Sequence, residues 1–274
     1  MQNKKTRTLF FIAMGLYLFI IIFPFLWVLL TSFKPESEIW GEAALRLFAD
    51  QSTLEHYEAL IKGNILNSLK NSVIIASITT AYVTAVASIA AYAIARLKFW
   101  GKNLLLAVVL ATSMFPQMVV VGPIYNAFVN LGWTNSYWIS LPYSMISLPV
   151  AIYILVTHFA KVPKEMEESA MMDGASKWTT FSKIIFPLAM PGIFTAAIIT
   201  FIGVWNEFLL SLTLNSDASF HTAPVAIAFL RGQFQIFWGQ VTAATVLVTI
   251  PTLIVVVLFQ KQIISGLTSG AVKE

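Results

Sequence analysis

Cysteine is missing from the 274 residues, which rules out disulfides, thiolate metal sites and a cysteine nucleophile together. Charge is scarce as well: Asp, Glu, Lys and Arg make up 11% of the chain, against about 25% in an ordinary soluble domain. Histidine is limited to His56, His158 and His221, with no His-x-x-x-His or Glu-x-x-His spacing among them. Neither a nucleophile elbow nor a G-x-x-x-x-G-K-[ST] phosphate loop occurs. No catalytic cluster and no metal or cofactor site is therefore expected on this chain, and any ATP it depends on must be bound by another polypeptide. Lys and Arg exceed Asp and Glu by four. They fall in short clusters between apolar runs, so the positive balance reads as membrane topology rather than as a nucleic-acid surface.

What is abundant is apolar: 58% of the residues are hydrophobic. After Lys4, Lys5 and Arg7, an unbroken run over 9–30 is long enough to cross a hydrocarbon core of ~30 Å at 1.5 Å per residue. A cleaved leader would have an apolar core of about 7–15 residues and a small-residue cleavage site. Residues 25–30 offer no such site, so a spanning helix is expected. Further apolar stretches at about 72–95, 104–128, 137–159, 188–212 and 240–259 predict six membrane helices in one all-α domain, 1–274. The polar stretch between the first two predicts short surface helices. The second span is rich in Ala, Ser, Thr, Val and Ile, small side chains that let backbones approach closely, and is expected to be buried in the bundle. Pro116 and Pro123 predict a kink or break in the third span, and Pro142 and Pro149 predict interruptions in the fourth.

Six spans place both termini on one side. Twelve basic residues then lie on that side (Lys4, Lys5, Arg7, Arg96, Lys98, Lys102, Lys161, Lys164, Lys177, Lys183, Lys261 and Lys273) and five lie opposite (Lys34, Arg46, Lys62, Lys70 and Arg231). The positive-inside bias makes the termini cytoplasmic, and with them the loop at about 160–186.

That loop is the longest polar interruption in the second half of the chain, with Glu165, Glu167, Glu168 and Asp173 set among Lys161, Lys164, Lys177 and Lys183. Pro163 suits the first position of a helix whose acidic residues lie at its positive dipole end. Gly174 suits its end, because glycine takes the left-handed cap conformation without a Cβ penalty. Ser176 can cap a second helix in which Trp178, Phe181 and Ile185 share one face, which is expected to be buried. Each helix is shorter than the ~12–15 residues at which an isolated helix becomes marginal in water. Packing must hold them, in this bundle or in a partner's groove, and the local pattern alone fits either a plain connector or a docking element.

The order Glu168-Ser169-Ala170, then Asp173-Gly174-Ala175, then Ile184-x-Phe186-Pro187, resembles the "EAA" cytoplasmic loop of permease subunits from bacterial ABC importers. Ser169 stands where the motif has its second Ala, and Phe186 where Leu is usual. Ser32-Phe33-Lys34-Pro35, Ala91 to Leu97, Met114-Phe115-Pro116-Gln117, Trp205-Asn206-Glu207-Phe208 and the tail from Gly266 to Lys273 are similar to the carbohydrate-uptake branch, nearest to its maltose/trehalose type. The resemblance implies the type I ABC importer permease fold, with a coupling helix between spans 4 and 5 that docks in a cleft of a separate ATPase. Its coupling residues would be Glu167, Glu168, Ala170, Asp173, Gly174, Ala175, Trp178, Phe181, Ile184 and Pro187. It also implies a bacterial inner-membrane protein forming half of a pathway for a di- or oligosaccharide such as trehalose or maltose. The implied partners are a second, different permease, two copies of a cytoplasmic ATPase holding ATP and Mg, an extracytoplasmic sugar-binding protein, and lipid.

Glu207 is the one acidic residue inside a predicted span, where an ionisable group costs about 2.5–3.5 kcal/mol on insertion scales. With Trp205 and Asn206 it could offer hydrogen bonds and an aromatic face to a sugar. It could equally sit near the outer boundary and pair with another subunit. Thr242, Thr245 and Thr249 share a face of the last span and line either a pathway or a packing surface. A self-sufficient secondary transporter or channel is the alternative class, but it would be expected to bury several ionisable groups and to show internal repeats. A membrane enzyme lacks a catalytic cluster.

Overall fold

The computed structural model describes residues 4–231 and 235–268, with side chains for 7–231 and 235–262. The tail match is therefore outside the described residues from Ser269 on. Among the described residues the structure is helical, with one isolated bridge between Arg231 and Ile236 and no strand. The helices are α1 Lys4–Thr31, α2 Glu55–Lys62, α3 Ile65–Arg96, α4 Lys102–Ser113, α5 Gln117–Leu131, α6 Ser140–Lys161, α7 Lys164–Met172, α8 Lys177–Thr180, α9 Phe186–Leu188, α10 Met190–Trp205, α11 Leu209–Leu214, α12 Ala223–Phe229 and α13 Trp238–Thr268. A π-helical turn, Phe181–Ile185, joins α8 to α9.

Among the described residues four helices are long and apolar enough to cross a membrane, and up to six crossings result if each of two bent pairs is one span. The bends have local causes. Between α4 and α5 the axis turns by 89° at Met114–Pro116, where Pro116 is extended and cannot continue the helix. Pro123, by contrast, is accommodated within α5. A second bend, of 76°, separates the segment Lys177–Leu188 from α10. The interruptions expected in the fourth span do not form. Pro142 lies in the first turn of α6, where an amide N–H has no intrahelical partner to lose, and Pro149 is carried inside the helix. The stretch 188–212 is not one helix either: α10 stops at Trp205, and Asn206–Phe208 separate it from α11.

The chain forms two compact units. The first comprises the chain up to Leu66 with Ala226–Pro251. Its apolar cluster is Leu60, Ile65, Ala243 and Ala244, with Tyr57 and Leu247 packed on it. Lys34 is buried there, its ammonium donating to the carbonyls of Ala44 (3.2 Å) and Arg46 (2.5 Å) above the Trp27 ring. Such neutral but well-directed acceptors are what make burial of a lysine tolerable. The Glu36 carboxylate accepts from the N–H groups of Trp238 and Gly239, both at 3.2 Å, at the start of α13. α1 is apolar all round and none of its most hydrophobic stretch is buried, the state of a helix whose neighbours are lipid or other chains.

The second unit comprises Asn67–Val225 and the chain from Thr252. Ala76, Thr79, Val83, Ala87 and Ala91 form a buried stripe of α3 at helical spacing. Val83, Ala87 and Ala91 of this stripe cluster with Ala151, Ile152, Leu155 and Phe159 of α6 and Ile193 and Ala196 of α10. Other side chains of α3, among them Ile78, Val86 and Ile89, are exposed, so this chain buries one side of the helix and not the whole of it as composition suggested. Near its first turns, Asn71 donates to the carbonyls of Ser219 (2.8 Å) and His221 (3.0 Å) and accepts from the Tyr137 hydroxyl (2.9 Å). Beside this clasp the Asp217 carboxylate accepts from the N–H and hydroxyl of Ser219, which holds its pKa below the usual carboxylate value.

α6 and α10 approach closely at Gly192, where an added Cβ would strike the His158 ring. Gly192→Ala is expected to lower the thermal midpoint of the detergent-solubilised protein through an overpacking penalty of about 1–3 kcal/mol. Adding His158→Ala should recover most of the loss. An unchanged midpoint in the single variant would contradict the close approach.

Candidate functional site

The polar loop folds as helix, glycine turn, helix. Pro163 is the residue just before the first turn of α7 rather than its first helical position. At the other end the Gly174 N–H donates to the Met171 carbonyl (3.1 Å) and the Ala175 N–H to the Ala170 carbonyl (2.9 Å), with Gly174 at φ +79°. This pair of bonds is a Schellman closure, and it requires the left-handed conformation that glycine adopts freely. The Ser176 hydroxyl then caps α8 by accepting from the Thr179 N–H at 3.1 Å.

Burial divides the coupling residues expected from the sequence into two sets. Glu167, Ala170 and Phe181 are buried, and Ala175 and Ile184 are half-buried. Glu168, Asp173, Gly174, Trp178 and Pro187 are exposed. Neighbouring glutamates thus point opposite ways: Glu168 to solvent, Glu167 inward to Arg96 at the end of α3, 3.6 Å away. Of the face expected to be buried in this bundle or in a partner's groove, this chain buries Phe181 (6% exposed) and Ile185 (0%) and leaves Trp178 64% exposed. Its ring still lies 5.4 Å from that of Phe181. Met166, Met171 and Met172 are also exposed, Met172 at 88%.

The Trp205-Asn206-Glu207 segment lies at the break after α10. Trp205 is buried and stacks on Phe201 at 5.8 Å, and Asn206 turns back to donate to the Ile202 carbonyl (2.8 Å). The Glu207 carboxylate accepts from the N–H groups of Leu210 (2.8 Å) and Ser211 (3.2 Å), so it caps α11, and from the Gln117 amide (2.8 Å) at the start of α5. A carboxylate at a break in the apolar stretch is thereby supplied with three N–H donors. Beside it is a cavity of ≈ 330 Å³ whose lining includes Gln117, Tyr143, Ser147, Asn206 and Glu207. Sequence reasoning reached Gln117 only within a matching tetrapeptide and gave it no role. No spacing rule brings together residues 90 positions apart.

Thr242, Thr245 and Thr249 belong to the first unit. Their hydroxyls donate to carbonyls of their own helix, those of Trp238, Val241 and Thr245. That is a mode of satisfying polar groups without a ligand. Thr242 also borders a cavity of ≈ 380 Å³ with Trp27, Lys34, Trp40 and Trp238.

Glu207→Ala is expected to destabilise the protein by about 2 kcal/mol, since hydrogen bonds to a charged group contribute about 1.5–3 kcal/mol each before relaxation. Gln117→Ala should lose less, and a double-mutant cycle should give coupling of about 1 kcal/mol between the two. Strict additivity would show that the bond between them carries no energy.

Residues 84–268 match the family model described as binding-protein-dependent transport system inner membrane component. The chain is 40% identical over 277 residues to the trehalose/maltose transport system permease protein MalG of Thermococcus litoralis, covering 99% of each. It is 40% identical over 256 residues to the trehalose transport system permease protein SugB of Mycobacterium tuberculosis, covering 92% of each. The diacetylchitobiose uptake system permease protein DasC of Streptomyces coelicolor is 34% identical, over 92% of each. Among solved structures, a bacterial ABC transporter that imports the acidic polysaccharide alginate superposes with a TM-score of 0.80 at 17% identity, over 94% of this chain and 96% of that one, which establishes the fold. With its helical architecture and the match running through the loop and the break after α10, the chain belongs to the family of binding-protein-dependent transport system inner membrane components.

Proposed function

We propose that this chain is one permease subunit of an ATP-driven sugar importer, and that α7, the Gly174 turn and α8 are the element by which a separate ATPase moves it. The observation that carries the reading is the two-sidedness of the loop. Glu167, Ala170, Phe181 and Ile185 anchor it inward, leaving Glu168, Met172 and Trp178 outward on two short helices. A short helix with an apolar outer face is suited to a groove, methionine because its side chain adapts to an irregular surface and tryptophan because it anchors a buried contact. The loop lies on the side that holds twelve of the seventeen basic residues, the cytoplasmic side by the positive-inside bias. ATP and Mg belong to the ATPase, two copies of which would serve this chain and a second, homologous permease. In this reading the chain crosses six times, and an even number of crossings, with the positive-inside bias, supports cytoplasmic termini on the loop's side.

The cargo is a di- or oligosaccharide delivered by an extracytoplasmic binding protein. Support comes from relatives named for trehalose, maltose and diacetylchitobiose transport. In this chain the cavity beside Gln117, Ser147 and Asn206 offers hydrogen-bonding groups of the kind a sugar uses. Glu207 then shapes that cavity by holding α5 to α11.

The test is reconstitution with the cognate partner permease, ATPase and binding protein, reading ATP hydrolysis stimulated by a panel of sugars. Met172→Asp and Trp178→Ala are expected to weaken retention of the ATPase at least tenfold while leaving membrane insertion intact. An alanine at Gly174 would meet no atom within 4 Å, so its penalty is conformational, about 1–2 kcal/mol for a non-glycine residue in the left-handed region. Gly174→Val should therefore abolish stimulated hydrolysis by deforming the turn. Normal stimulation in all three variants would refute the docking role.

A further inference from the structure

We infer that Arg96 is a positioning residue that makes α3 the rod carrying movement of the loop across the second unit, an inference that rests on the coupling role proposed for the loop. The Arg96 and Glu167 side chains are 4% and 11% exposed. Arg96 Nε and Glu167 Oε1 are 3.6 Å apart and neither has a hydrogen-bond partner, so the ion pair is longer than the ~2.7–2.9 Å of a charge-assisted bond. The guanidinium also donates from Nη2 to the carbonyl of Val162, the residue between α6 and Pro163. Arg96 therefore grips both the corner where the chain enters the loop and the first helix of the loop itself.

One turn earlier on α3, the Tyr92 ring packs against Phe181 at 4.9 Å and Phe159 at 6.3 Å. The last turn of α3 thus holds the entering arm through Arg96 and the leaving arm through Tyr92. At the other end of the helix, Asn67 and Asn71 donate to the Ser219 carbonyl, Asn71 also to that of His221, and Ser72 accepts from the Ala223 N–H at 2.8 Å. Between Asn71 and Arg96 the helix contains neither proline nor glycine. At 1.5 Å per residue that is ~38 Å of continuous helix. A helix without these breakers has no built-in kink site. A displacement of α7 that draws on Glu167 is delivered by α3 to residues 219–223.

The test uses the complete importer with its ATPase, partner permease and binding protein in liposomes. Arg96→Met combined with Glu167→Leu removes both charges and retains bulk. The double variant should retain the ATPase on purification, yet lose at least tenfold in hydrolysis stimulated by the loaded binding protein. Arg96→Lys, which preserves the charge, should keep at least half of that stimulation. Should the double variant fail to assemble, Glu167→Gln decides the same point, with an expected loss of about threefold or more in stimulation at unchanged ATPase retention. Full stimulation in the uncharged variant, or loss of ATPase retention in step with stimulation, would overturn the inference and leave the pair a packing or docking feature. Failure of the unaltered chain to retain the ATPase would instead remove the coupling role itself, and this inference with it.

Discussion

The contact of Tyr92 with Phe181, backed by Phe159, is the junction between two solvents. On one side are apolar helices that gain nothing from the hydrophobic effect against lipid and associate through close packing. On the other are two helices too short to persist in water alone. Burying Phe181 contributes about 2 kcal/mol by its removed area, enough to fix a short segment that a Schellman turn has already shaped. A methyl-sized side chain such as that of Ala170 buries too little area to do this alone. Ala87 and Ala91 line the stripe of α3 where helices meet helices, while the aromatic rings gather where helix meets loop.

Much of this was legible in the sequence because it follows from local rules. The apolar runs located the long helices, Pro116 located the sharpest bend, and Gly174 with Ser176 located the turn and the cap. The missed features depend on position in three dimensions. The spacing placed Trp178, Phe181 and Ile185 on one face but did not say which of them this chain covers, and it covers only the last two. The resemblance singled out Glu168 as the motif's acid, and nothing local marked its neighbour Glu167 as the one that meets Arg96, a residue from an earlier span. The proline reasoning erred in the opposite direction. It treated Pro142 and Pro149 as breaks, although an early-turn proline removes no intrahelical donor and a buried one is held by its neighbours.

Glu207 illustrates how an expensive group is accommodated without a ligand. An acidic residue in an apolar stretch invites a functional reading because desolvating it is costly. Here the helix ends at Trp205, and the carboxylate meets the free N–H groups at the start of α11 and the amide of Gln117. Helix termini leave such donors open by construction. The break and the acid therefore suit each other: an uninterrupted helix through 206–208 would have used those N–H groups internally and left the carboxylate only the amide of Gln117. The bond to Gln117 extends the same solution to the start of α5, immediately after the 89° bend. Two interruptions in apolar helices thus share one charged clasp, and the cavity beside it is bordered by the groups that the interruptions exposed. A polar passage through an apolar bundle is built most readily where backbone is already irregular, since non-helical backbone at membrane depth is tolerated where it lines a cavity.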